Sequence, residues 1–218
     1  MRHASGLLAL AMLLSSPAQG AAHLQTQTLN GTLAVETWKA RRDARVVKQD
    51  ADYSCGAASL ATLLTHYYGR PTTEKDILDL LTARAKDKAA ASFEDMAAIL
   101  PALGFRGIGL ALSPEQLSRL KMPVIVFVRA RKEDHFAVLA GVGPERVKLA
   151  DPALGNRSLS WRQFLERWDT RADAQLKGRA LAVLPLNTGA NTGAPSSDFF
   201  TPAVANPLPV ELLTMRRW

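Results

Sequence analysis

The run Pro123-Val124-Ile125-Val126-Phe127-Val128-Arg129 divides the chain into two kinds of pattern. It is continuous and β-branched, which suits a strand buried on both faces. N-terminal to it, apolar residues recur at helical spacing; C-terminal to it, short alternating segments follow one another. Helices first and strands second predict an α+β domain. At 218 residues, 47% hydrophobic and 22% charged, the chain can bury one compact domain with extensions at both ends, not two full domains.

The helical half is well punctuated. Cys55 to Tyr68 carries Ala57, Ala58, Leu60, Ala61, Leu63, Leu64 and Tyr67 on a broad apolar face, and Gly69-Arg70-Pro71 stops it. Thr73 with Asp76 caps a second helix to Arg84, and Ser92 with Asp95 caps a third to Leu103. Ser113-Pro114 starts a short fourth. In the other half, His135 to Val142 and Arg146 to Asp151 read as strands joined at Gly143-Pro144-Glu145. Ser160 with Gln163 caps a helix to Trp168, and Leu181 to Leu184 is a last strand.

The two ends differ from this. Arg2, an apolar run Leu7 to Leu14 and the small residues Ala18-Gln19-Gly20-Ala21-Ala22 predict an export signal over 1–22, with the mature chain starting near Ala21 or His23. That run is shorter than the roughly 20 residues of a membrane span, so no anchor is expected once it is removed. Residues 23–45 form an extension holding a short strand or hairpin around Leu29 to Val35, 46–186 the main domain, and 187–218 a flexible tail. The net charge of +7, about +6 without Arg2, is scattered and lacks aromatic interleaving, so no nucleic-acid partner is expected.

An exported chain with one cysteine cannot form an internal disulfide, so Cys55 needs another explanation. It follows the polar turn Asp50-Ala51-Asp52-Tyr53-Ser54 and opens an apolar helix, where unpaired backbone N–H groups and the helix dipole favour a thiolate. Gly56 is expected to leave space beside the sulfur for a substrate chain. A thiolate nucleophile needs a base. His66 lies about 16 Å along the same helix, and His23 sits at the expected new N-terminus, which leaves His135. A hairpin turning about Gly143 sets Asp151 opposite His135, where the carboxylate fixes the imidazole tautomer. Gln49, six residues before Cys55, offers a side-chain amide for a developing oxyanion. One cysteine, scattered histidines and no H-E-x-x-H pattern leave no metal-ligand set, and no cofactor is expected. Tyr67 and Tyr68 are expected to pack.

The segments Gln49-Asp-Ala-Asp-Tyr-Ser-Cys55-Gly-Ala-Ala-Ser-Leu60, Tyr67-Tyr68-Gly69, Met122-Pro123-Val124, His135-Phe136-Ala-Val-Leu-Ala-Gly141 and Asp151-Pro152-Ala-Leu-Gly155 together resemble the C39 peptidases, papain-like proteases that process bacteriocin leaders. The resemblance runs from about residue 46 to about 170. It implies a papain-like fold with the nucleophile helix packed on an antiparallel sheet, with Cys55 as nucleophile, His135 as base, Asp151 as orienting carboxylate and Gln49 as oxyanion donor. Ser54 departs from the acidic residue that commonly precedes the cysteine in transporter-linked members. The chain is similar to stand-alone exported members, including those encoded with functional-amyloid (Fap) secretion systems. The expected activity is periplasmic cleavage of a polypeptide, an exported amyloid or leader-bearing protein, alongside secretion-system components. A peptide-binding or chaperone module that does not cut, and a cell-wall amide hydrolase using the same Cys–His chemistry, are the alternatives.

Overall fold

The computed structural model describes residues 20–25, 30–84, 91–130, 133–168, 178–187 and 195–202. The expected export signal therefore lies outside the described residues except at its end, Gly20 to Ala22. The chain divides into two units, Met1–Arg41 and Arg42–Trp218. In the first, β1 (Gly20–Gln25) pairs antiparallel with β2 (Asn30–Val35), a hairpin that includes His23. A short helix α1 (Trp38–Asp43) follows, and the Thr37 hydroxyl accepts from the Ala40 N–H at its start.

The second unit begins with helices. α2 (Cys55–Thr62) continues into a π-helical turn, Leu63–Tyr67, followed by α3 (Glu74–Arg84) and α4 (Phe93–Ile99), which tightens into a 3-10 turn, Leu100–Leu103. The Thr73–Asp76 and Ser92–Asp95 pairs form reciprocal capping bonds at the starts of α3 and α4. Gly104, at φ +81°, ends the 3-10 turn in the left-handed conformation that residues with a Cβ disfavour. Then come β3 (Phe105–Ala111), α5 (Pro114–Ser118), β4 (Val124–Ala130), β5 (Glu133–Val142), β6 (Arg146–Asp151), β7 (Gly155–Ser160), α6 (Trp161–Leu165) and β8 (Arg179–Pro185). The strands make one antiparallel sheet in the order β3-β8-β4-β5-β6-β7.

Every residue of α2 is buried, so this helix is a central strut, not a surface element with one apolar stripe. Leu60, Leu63 and Leu64 pack with Ile77, Met96, Phe105, Val138 and Leu181 on one side of the sheet. Leu117, Leu139, Val147, Leu149, Phe164 and Trp168 fill the other. Tyr68, beyond the π-helical turn, packs against Phe105 and donates its hydroxyl to the Val183 carbonyl at 2.6 Å, tying the helix end to β8.

Several expectations are corrected. β3 and β7 are strands that the sequence pattern does not announce: Gly107 and Gly109 interrupt the first, and Asn-Arg-Ser dominates the second. α6 stops at Leu165, and Trp168 instead buries its indole in the second core, donating to the Arg179 carbonyl. Within the segment 187–218, the described residues include 195–202. Phe199 is buried against Tyr67, and the Thr201 N–H donates to the Ala140 carbonyl. Among the described residues no helix is long and apolar enough to cross a membrane.

Candidate active site

Three chain segments meet at the N-terminus of α2. Segment 49–54 enters as a tight turn: the Ala51 carbonyl accepts from the Ser54 N–H and the Ser54 hydroxyl, and the Asp50 N–H is held by the buried Glu74 carboxylate. The Ser54 carbonyl accepts from the Ala58 N–H, so Ser54 is the N-cap and Cys55 the first helical residue. The Gln49 N–H donates to the Pro152 carbonyl at 3.2 Å, stitching this turn to the end of β6. Lys48 Nζ reinforces the junction through the Ala153 carbonyl.

Cys55, His135 and Asp151, at 7%, 9% and 1% exposure, are all buried at this junction. His135 Nε2 lies 2.9 Å from Asp151 Oδ1. Cys55 and His135 interact through a side-chain hydrogen bond and through charge. Burial by itself would push the thiol up. The His135 hydrogen bond, the Phe136 and Gly56 N–H groups and the imidazolium charge outweigh it, leaving Cys55 below the usual thiol value. Burial would likewise push the imidazole down, but Asp151 and Cys55 raise it to about 9. For Asp151, burial is overcome by His135 and by the Leu154 and Ala153 N–H groups, which Oδ1 accepts at 3.0 and 2.9 Å, so the carboxyl stays below its ordinary range. The arrangement favours a thiolate–imidazolium pair backed by a carboxylate.

All four residues singled out in the sequence lie in this region, with two differences. The Gln49 side chain is turned onto its own loop: Nε2 donates to the Ala51 carbonyl at 3.0 Å, and Oε1 is buried without a hydrogen-bond partner. Gly56 does not open space for a substrate. A Cβ there would come 3.3 Å from Met96 Sδ and from Phe136 Cδ2, so this glycine allows α2 to approach α4 and β5. His66 is half-buried, stacked on Phe199 and remote from the site. Sequence reasoning missed Arg157, whose Nη1 lies 3.6 Å from Asp151 Oδ2, because β7 itself carries no strand signal. Among the described residues no group of three His, Cys, Asp or Glu side chains could hold a metal ion.

The family model described as the peptidase C39 family matches residues 43–172. The chain is 35% identical over 139 residues to the probable functional amyloid protease FapD of Pseudomonas aeruginosa, a match covering 62% of this chain and 62% of that protein. It is 33% identical over 176 residues to the protein of the same name in Pseudomonas fluorescens, covering 78% and 77%. In structure it is similar to a double glycine motif protease from an AMS/PCAT transporter, solved with its leader peptide. There the TM-score is 0.53 at 23% identity, covering 66% of this chain and 94% of that one, a likeness of fold. The helix carrying Cys55, the antiparallel sheet carrying His135 and Asp151, and the family match over most of the domain lead to one conclusion: this α+β, papain-like chain belongs to the peptidase C39 family of cysteine peptidases.

Proposed function

We propose that the protein is an exported endopeptidase that cleaves a secreted or secretion-associated polypeptide, with Cys55 as nucleophile, His135 as the proton carrier, Asp151 as its orienting carboxylate and Gln49 as an oxyanion donor. The observation that carries this reading is the buried hydrogen-bonded succession Cys55–His135–Asp151. In the proposed course the Cys55 thiolate attacks the scissile carbonyl carbon. The oxyanion takes N–H groups of the first turn of α2, which have no intrahelical acceptor, together with the second hydrogen on Gln49 Nε2. The His135 imidazolium gives its proton to the leaving amine, and the acyl-thioester forms as the C–N bond breaks. Water then enters: neutral His135 takes a proton from it, the hydroxide oxygen bonds the acyl carbon, and the thiolate leaves.

The amyloid-protease relatives support an exported amyloid protein, or a partner in its secretion, as the polypeptide cut. The order Arg2, Leu7–Leu14 and small residues to Ala22 supports export to the periplasm. The test is to restore wild-type or Cys55→Ala protein to a strain lacking this chain and to map new N-termini in its exported proteins by mass spectrometry. New termini with wild type and none with Cys55→Ala are expected. Identical termini in both would overturn the reading. The same strains, fractionated, report export through recovery of the protein in the periplasmic fraction with its own N-terminus near Ala21 or His23.

A further inference from the structure

The pairing of β5 with β6 contains one irregularity. Val142 pairs with Val147 and Gly141 with Lys148, but the next pair is Leu139 with Leu149, followed by Val138 with Ala150. Ala140 is the extra residue of a β-bulge. It decides the site: continuing the Gly141–Lys148 register without a bulge would set Val138 against Asp151, and His135, three residues from Val138, would project from the opposite face. With the bulge, one step on from the Val138–Ala150 pair sets Ala137 against Asp151. His135, two residues away, then shares the carboxylate's face.

An inserted residue leaves backbone groups outside the ladder. Ala140 also lies past the end of β4, whose last pairing is Val124 with Leu139. Its carbonyl is taken from outside the sheet, by the Thr201 N–H at 3.2 Å. Lys148 Nζ binds Thr201 Oγ1 at 2.8 Å from the partner strand. At Gly141 the two backbones approach so closely that a Cβ would overlap the Thr201 carbonyl oxygen. Segment 195–202 is anchored independently. Phe199 is buried with Tyr67 and His66 beside it, and Arg45, at φ +57°, lies over its ring while binding Ser196 Oγ and Asp198. The Ser196 N–H donates to the Tyr67 carbonyl. This segment lies beyond the family match, which ends at residue 172.

We propose that segment 195–202 is a positioning element for the catalytic pair, and that Thr201, by holding the Ala140 bulge, fixes the register that brings His135 to Asp151. Thr201 touches no reacting atom; it acts through β5. The proposal rests on the triad reading given above. Charged or titratable groups facing His135 are Cys55 from α2 and Asp151 from β6, with Arg157 of β7 behind Asp151.

The test needs no substrate. The second-order rate at which iodoacetamide alkylates Cys55 is measured against pH for the full-length chain, for Thr201→Pro, which removes the N–H, for Thr201→Ser, which keeps it, and for Phe199→Ala, which releases the anchor. Wild type and Thr201→Ser are expected to inflect below the roughly 8.5 of an ordinary thiol. In Thr201→Pro and Phe199→Ala the rate at pH 6.5 is expected to fall about tenfold, corresponding to an upward move of about one pH unit in thiolate formation. Whichever of these two variants melts cooperatively decides the matter, and a wild-type profile in it overturns the proposal. A wild-type protein that itself titrates as an ordinary thiol would instead overturn the triad reading beneath it.

Discussion

His135 and Asp151 are bonded at 2.9 Å although neither is the other's cross-strand partner; they meet on a diagonal of the β5–β6 pair. The diagonal places Nε2 at the carboxylate. Asp151→Asn is expected to lower cleavage by about 10²-fold or more, since an amide can hold the ring but not support its charge. The measurement is kcat on whichever polypeptide the termini map identifies. An amide variant within twofold of wild type would show that the carboxylate charge is idle.

Cys55 lies below the usual thiol range and His135 is raised to about 9, which sets the working window. The ion pair exists above the depressed Cys55 value and is lost as pH rises through the raised His135 value. Activity is expected to rise on the acid side below the ordinary thiol value, hold a plateau, and fall near pH 9. In Asp151→Asn the alkaline limb is expected to move to lower pH, because His135 loses a group that raises it. A pH–rate profile of both proteins checks the sign.

Gly56→Val would press two methyl groups toward Met96 and Phe136, where a Cβ alone already stands 3.3 Å from each. A cost of about 1–3 kcal/mol is expected from overpacking, read by urea denaturation. The outcome separates close packing from substrate access, since a glycine needed only for access would show the loss in KM and none in stability.

Tyr68→Phe removes a buried hydroxyl that donates to the Val183 carbonyl at 2.6 Å. Stability is expected to fall by about 1 kcal/mol with the alkylation profile of Cys55 unchanged. A shifted profile would mean that the far end of the helix is coupled to Cys55.

Cys55 and its helix position are legible in the sequence because a polar turn followed by a largely apolar stretch marks a helix start whatever packs around it. The His135–Asp151 pairing is legible for a subtler reason. A hairpin turning about Gly143 sets the two residues directly opposite, whereas the true register is displaced by two positions. Side chains alternate with a period of two, so the displacement keeps both on one face. The bulge at Ala140 that produces this even displacement has no signature in Leu-Ala-Gly. Arg157 is invisible because a strand reading Gly-Asn-Arg-Ser-Leu-Ser shows little apolar alternation. Phe199 is hidden for another reason: the pair Phe199-Phe200, set between Asp198 and Thr201, carries no period, and only the surroundings formed by Tyr67, His66 and Arg45 make Phe199 part of the core.

An ion pair between Cys55 and His135 is read out by nitrogen-15 NMR of the His135 ring at pH 7.5, with His135→Gln protein assigning the signal. A doubly protonated imidazolium in the wild type, losing its proton to solvent near pH 9 and at lower pH in Cys55→Ala, is the predicted result. A neutral ring at pH 7.5 that titrates near 6.5 with or without the sulfur would mean that no such pair forms.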